Sequence, residues 1–132
     1  MPAELLVFEV PGDVASVVDR LTRALDARGI TLFATIDHGS GARAAGLELG
    51  DEVVLVFGNP AVGTSLMQAD PRVGLDLPLR ILAWTDAGVT RVAYEDPRSL
   101  ADRYRLAGQE PTLAKLDALL DQLRAEAAAA PG

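Results

Sequence analysis

The stretch Phe57-Gly58-Asn59-Pro60-Ala61-Val62-Gly63-Thr64-Ser65-Leu66-Met67-Gln68-Ala69-Asp70-Pro71-Arg72-Val73-Gly74-Leu75-Asp76-Leu77-Pro78-Leu79 decides how this chain is read. It leaves an apolar run, Val53 to Phe57, whose unbroken hydrophobicity reads as a central strand covered on both faces. Asn59-Pro60 is then a helix start: Asn accepts a backbone N–H at the cap, and Pro is pre-set for the first helical position. Asp70-Pro71 repeats the signal a few residues later, and Asp76-Leu77-Pro78 leads into a second apolar strand. So many Gly, Asn, Asp and Pro residues between two strands fix many backbone angles over a short distance. The remainder of the chain reads as scaffold for this connection.

Upstream, Leu5 to Val10 is a strand closed by Pro11-Gly12. Asp13 caps a helix with Val14, Val17, Val18, Leu21 and Leu25 on one stripe and Asp19, Arg20, Arg23 and Asp26 opposite. Arg28 suits its C-terminal end, and Gly29 terminates it. Ile30 to Asp37 is a second strand, with Ile30, Leu32, Ala34 and Ile36 on one face and Thr31, Phe33 and Thr35 on the other. His38 to Gly50 is a polar connection with room for one helical turn at Ala42–Ala45. Downstream, Leu79 to Thr85 and Val89 to Tyr94 form a hairpin around Asp86-Ala87-Gly88. Asp96-Pro97 starts a short helix reaching about Tyr104. Pro111 opens a last helix with Leu113, Leu116, Leu120 and Leu123 in line. The order is β-α-β(4)-α with a short helical insertion between the third and fourth strands. It predicts an α+β two-layer sandwich, an antiparallel sheet covered by helices.

The 132 residues make one domain, with 125–132 expected to fray. There is no cysteine, which removes disulfides, thiol nucleophiles and thiolate metal sites. A net charge of −7 with a single lysine, Lys115, argues against nucleic acid. The N-terminus has no basic region of the kind that opens a signal peptide, and no apolar run approaches about 20 residues. A cytoplasmic protein away from membranes is the expectation, and whether a cofactor is used stays unknown.

Gly39-Ser40-Gly41-Ala42-Arg43-Ala44-Ala45-Gly46-Leu47 followed by Gly50-Asp51-Glu52-Val53 resembles part of a PDZ domain, which would imply peptide binding. The loop with a G-L-G-F-like pattern is absent ahead of Ile30, and a strand and a helix precede the resemblance. A second resemblance spans nearly the whole chain. Phe57-Gly58-Asn59-Pro60, Gly63-Thr64, Leu66-Met67 and Gly74-Leu75-Asp76-Leu77-Pro78-Leu79 resemble the signature of domain-of-unknown-function family 302. Ile36-Asp37-His38, Tyr94, Asp96-Pro97, Leu100 and Arg103 resemble its flanking motifs. The resemblance implies a TATA-box-binding-protein-like arrangement and brings no activity. That family often has a His directly after the position of Arg103, where this chain has Tyr104.

Several residues can carry a site. His38 is the sole histidine, placed at a strand end. Asp76 lies among leucines, where a carboxylate must find donors or shift its pKa. It either accepts backbone N–H groups around Pro78 or anchors a ligand. Asn59, Gly63 and Thr64 combine a cap, a close-approach position and a hydroxyl, although the phosphate-loop pattern is absent. Met67, Trp84 and Tyr94 line either a core or a cavity between helices and sheet. Arg103 pairs with Asp76 or Asp96, or binds a carboxylate. No metal-ligand spacing appears. Three functions stay open. One is small-ligand binding in a pocket under the 58–78 connection. Another is a homodimeric module using that stretch as its interface. The third is an enzyme with His38 or Asp76 as general base.

Overall fold

The computed structural model describes residues 5–129, and the expectations for Met1–Glu4 and for 130–132 lie outside them. Five strands, β1 (Leu5–Val10), β2 (Thr31–Asp37), β3 (Glu52–Gly58), β4 (Leu79–Asp86) and β5 (Val89–Glu95), form one antiparallel sheet in the order β1-β5-β4-β3-β2. Helices α1 (Val14–Ala27) and α5 (Glu110–Ala128) pack against one face of this sheet. The α+β two-layer sandwich expected from the sequence is therefore the architecture. The β4–β5 turn is a two-residue reversal, with Ala87 at φ 50° and Gly88 at φ 83°. Both central positions of such a turn need positive φ, and only one of them is a glycine.

One face decides the packing. Val53, Leu55 and Phe57 of β3 are buried against the helices with Ile81 and Ala83 of β4 and Val17, Leu21, Leu120 and Leu123. Val54 and Val56 alternate with them and are only half-buried. The unbroken apolar run of β3 thus overstated its coverage: helices cover one face, and the other is open. Trp84 lies on the open face, opposite Glu52 and Arg91, and not between helices and sheet.

A bulge corrects the reading of β2. Leu32 pairs with Phe57 and Ala34 with Val56, leaving Phe33 as an extra residue between them. One inserted residue reverses the alternation beyond it. Leu32 joins the covered face, whereas Ala34 and Ile36 turn to the open one, and Phe33 is 51% exposed. The polar connection after β2 holds α2 (His38–Ala44), a longer helix than the single turn expected at Ala42–Ala45. Asp37 caps it, accepting the Ser40 N–H at 2.8 Å.

The organising stretch folds as α3 (Pro60–Ala69) and a 3₁₀ segment (Pro71–Asp76). It builds a second core of Leu66, Val73, Leu100, Leu106, Leu113 and Leu116 over the N-terminal half of α5. Asp70-Pro71-Arg72 and Asp96-Pro97-Arg98 fold alike. In each the Asp caps a 3₁₀ turn, the Pro takes its first position, and the Arg guanidinium returns to the same carboxylate. Helix α5 runs on to Ala128, where Ala127 is fully buried and its carbonyl accepts from Arg20 at 2.9 Å.

The one-sided sheet makes a direct prediction. Leu55→Ala should cost about 2–5 kcal/mol, the range for emptying a buried aliphatic site. Val54→Thr, one residue away on the open face, should cost the isolated chain, at dilute protein, about 0.5 kcal/mol or less. Urea denaturation of both variants checks the contrast, and equal losses would mean that both faces are covered.

Candidate functional site

The predicted site residues other than Arg103 divide between two hollows. The first, about 270 Å³, lies beneath the 58–78 connection and is lined by Asn59, Gly63, Thr64 and Met67 together with Phe33, Gly58, Val62, Gly74, Leu77, Pro78, Leu79 and Leu116. The second, about 680 Å³, occupies the open face of the sheet and includes His38, Asp76 and Tyr94 among its lining residues. It reaches past the end of the β4–β5 ladder, whose last pair is Leu82↔Ala93. Beyond that pair lie Arg80 and Glu95, and Asp76, Pro97 and Leu100 also line this end.

The polar groups of the small hollow are largely engaged in folding. Asn59 Oδ1 accepts the Ala61 N–H at 2.9 Å, as a cap should, and the Thr64 hydroxyl donates to the Pro60 carbonyl at 2.7 Å. The Asn59 amide nitrogen and the lone pairs of Thr64 Oγ1 are left over. What remains is a mostly apolar chamber with two polar atoms on its rim.

Its glycines are informative. Gly58, Gly63 and Gly74 do not have the positive φ found at Gly12, Gly29, Gly46, Gly88 and Gly108. A Cβ on Gly63 would meet only Leu77 Cδ1 and Met67 Cε, each at 3.8 Å, an ordinary contact distance. One on Gly58 would meet Pro78 Cβ at 3.6 Å, and one on Gly74 would press Met67 Sδ at 3.1 Å. Gly63 is mid-helix, where glycine costs roughly 1 kcal/mol against alanine. Neither its backbone angles nor its packing asks for it. The missing side chain leaves room in the chamber.

Asp76 takes no backbone N–H from the turn around Pro78. Its Oδ2 accepts from the Tyr104 hydroxyl at 2.5 Å and from Arg103 Nε at 3.2 Å. Arg103 bridges onward to Glu95 at 2.5 Å, and Glu95 also accepts from Ser99 Oγ at 2.8 Å. Asp96, the other expected partner of Arg103, is held by Arg98 instead. Tyr104 thus donates to Asp76 from the position where a His was expected. The Tyr104 hydrogen bond, aided by the charge of Arg103, holds the Asp76 carboxyl below the usual aspartate range, and the same bond pushes the Tyr104 hydroxyl up. Asp70 is nearly buried and is held further down by the Arg72 guanidinium and the Arg105 N–H.

His38 is exposed and is the first residue of α2, following the Asp37↔Val53 pair. Asp76 lies just ahead of Leu79, which pairs with Phe57 at the other end of β3. The two candidate bases therefore border opposite ends of the larger hollow. Tyr94 is buried on the covered face against Phe8, ring centroids 5.8 Å apart, and burial raises its hydroxyl pKa. Among the described residues no group of His, Cys, Asp and Glu is arranged to hold a metal ion, and no helix is long and apolar enough to cross a membrane. Sequence reasoning missed Glu95, Arg105 and the chamber walls Phe33, Gly58, Gly74 and Leu116. Gly58 and Gly74 carried a readable signal, because neither stands at a turn that needs positive φ.

A five-stranded antiparallel sheet with its helices on one face, and a capped helical insertion between β3 and β4, defines an α+β domain of the kind the motifs implied. The chain belongs to the family described as Domain of unknown function DUF302, which matches residues 6–123. The crystal structure of an uncharacterized conserved DUF302 protein from Bacillus stearothermophilus has the same fold, with a TM-score of 0.72 at 18% identity over 94% of each chain. The segment that resembled a PDZ domain is α2 and the turn into β3 within this fold. The chain is also 41% identical over 103 residues to fluoride-specific ion channel FluC 1 of Brucella suis biovar 1 (strain 1330), covering 77% of this chain and 41% of that protein. It matches FluC 2 of Brucella melitensis biotype 1 equally, over 38% of that protein. The chain thus spans about two fifths of the length of these curated relatives.

The lowered carboxyls give a pH prediction. A folded pKa below the unfolded value stabilises above the unfolded pKa, about 3.9 for aspartate, and that stability is lost as pH falls through the folded value. Asp70, Asp76 and Asp96 all have this sign. Stability should be level from neutral pH to roughly pH 5 and fall below about pH 4. Tyr104→Phe should raise the Asp76 pKa in an NMR titration and flatten that acid loss. An unchanged Asp76 titration would remove Tyr104 as its principal partner.

Proposed function

We propose that the domain binds a small, uncharged, mostly apolar molecule in the 270 Å³ chamber beneath the 58–78 connection. The observation that carries this is Gly63, a mid-helix glycine that neither backbone conformation nor packing requires, facing the chamber between Met67 and Leu77. The size fits. A dry cavity of about 150 Å³ accepts benzene, and drug-sized ligand pockets begin near 300 Å³. A ligand somewhat larger than one aromatic ring suits it, with a single polar group for Thr64 Oγ1 or the Asn59 amide. Met67, 38% exposed at the wall, is flexible enough to adapt to different shapes. Binding is favoured over catalysis by Asp76: a carboxyl held below its usual range is a weak base, and His38 stands at the far end of the other hollow.

Toluene serves as a probe. In NMR spectra of the wild-type protein it should shift Val62, Met67 and Leu77. Gly63→Ala, which narrows the chamber by one methyl, should weaken those shifts while stabilising the fold by about 0.4–1 kcal/mol, as expected where alanine fits the helix without strain. Toluene binding undiminished in Gly63→Ala, or none in the wild type, would sink the reading.

The Brucella proteins favour a second reading. We infer that this chain serves fluoride handling as an accessory domain, supported by 41% identity with a segment of proteins named as fluoride-specific ion channels. Cells lacking the chain should become more sensitive to fluoride. Unaltered tolerance would overturn this reading and leave the chamber reading untouched.

A further inference from the structure

The sheet face turned away from α1 and α5 has an ordered pattern. Ile36, Val54, Leu82, Ala93 and Val7 stand directly opposite one another and form one apolar row across all five strands. The ends of the row are bare, with Ile36 46% and Val7 44% exposed. The flanking rows are charged. On one side Arg80 stands opposite Val56, and Glu95 opposite Leu5. On the other, Glu52 stands opposite Trp84, and Arg91 stands between Trp84 and Glu9.

Arg80 and Glu52 form no ion pair among the described residues. They cannot reach each other within one chain. Arg80 stands opposite Val56, four residues along β3 from Glu52, a separation of roughly 13 Å along the strand.

We propose that this face packs on the same face of a second copy, about a two-fold axis running across the strands along the Ile36–Val7 row. Such a rotation lays the apolar row on itself and reverses the strand direction. Arg80 of one copy then meets Glu52 and the Trp84 ring of the other. Glu95, held by Arg103 in its own chain, comes opposite Arg91, itself held by Glu9 and Asp86, so the unpaired Arg80 and Glu52 carry the charge match. Every contact off the axis occurs twice, as a two-fold interface requires. A cation over an indole face adds attraction to the ion pair. Two sheets stacked about 10 Å apart with strands within about 30° is a standard packing for half-covered sheets.

The charge pattern selects this occupant. The face carries four carboxylates, Glu9, Glu52, Asp86 and Glu95, and two guanidinium groups, Arg80 and Arg91. A phosphate polymer would be repelled by more groups than it attracts. Charges of both signs, at positions that exchange under one rotation, are complementary to themselves. This proposed interface differs from the alternative of a module joined through the 57–79 stretch.

The test is sedimentation equilibrium of the full chain over a range of concentrations, with circular dichroism to confirm folding. The wild type should dimerise, and Leu82→Asp, which sets like charges together on the axis, should be monomeric. Arg80→Glu or Glu52→Arg should each weaken the dimer about tenfold, from two exposed ion pairs lost per dimer. The double variant Arg80→Glu/Glu52→Arg should return to within about threefold of the wild type, since the pair is restored only between copies. A wild type that stays monomeric, single variants that associate unchanged, or a double variant no tighter than either single would each overturn the proposal. Gly63→Ala should leave the dimer intact, which separates this interface from the chamber.

Discussion

Two aspartates hold the insertion to the rest of the molecule, and each accepts a hydrogen bond from the run Arg103-Tyr104-Arg105, Asp70 in addition to its bonds from Arg72. Asp70, at the end of α3, accepts the Arg105 N–H at 2.9 Å, and Asp76, at the end of the 3₁₀ segment, accepts the Tyr104 hydroxyl and Arg103 Nε. The segment between them is therefore pinned at both ends to the chain between α4 (Leu100–Arg103) and α5. That pinning closes the second core, because Leu66 and Val73 come from one side of the junction and Leu100, Leu106 and Leu113 from the other. It also builds the small chamber, whose walls combine α3, the 3₁₀ segment and Leu116 of α5. The carboxylates are anchored by charge-assisted hydrogen bonds, which are stronger and more directional than neutral ones. A hydrophobic contact alone could slide; this junction has a fixed register.

This makes sense of an aspartate among leucines. Leu75 is 87% exposed and Leu77 half-buried, so the segment around Asp76 lies at the surface with one side turned inward. The carboxylate is neither stranded in an apolar core nor free in water. It is side-chain bonded, and its charge is shared through Arg103 with Glu95 on β5. Negative charge on Asp76 and Glu95 needs the one guanidinium between them, which couples the insertion to the sheet as well as to α4. Tyr104 gives Asp76 a donor that, unlike an imidazole, does not titrate near neutral pH. The strut is thereby insensitive to physiological pH.

The sequence was legible where a single residue type has one physical job. Asp13, Asn59, Asp70 and Asp96 cap the elements that follow them, as read from the sequence, whereas the cap that Asp37 gives α2 emerged only in the structure. Leu113, Leu116, Leu120 and Leu123 are buried as their spacing required. It was less legible where the answer depends on what lies across the sheet. The apolar run of β3 looks the same whether one face is covered or two, and the bulge at Phe33 is set by pairing with Phe57 and Val56. The site was half legible. Asn59, Gly63, Thr64 and Met67 do border one chamber, but His38 and Asp76 belong to another hollow. Nothing in the order of residues says that Asp76 looks toward Tyr104, a contact made 28 residues away.

The glycines separate folding from use. Gly12, Gly29, Gly46, Gly88 and Gly108 have positive φ, so their identity is explained by the turn each makes. Gly39 is explained by contact: a Cβ there would meet the Gly50 carbonyl at 2.9 Å. Gly63 answers to neither cause, yet it weakens the helix that carries it. A stability cost with no structural return, in a wall of the one apolar chamber the insertion builds, is the pattern of a position kept small for something outside the chain. Selection for folding alone would replace it with alanine, because the space is there and the helix would gain. That the space is left open is the reason to look for an occupant there, and the carboxylates that pin the insertion hold that opening to a fixed shape.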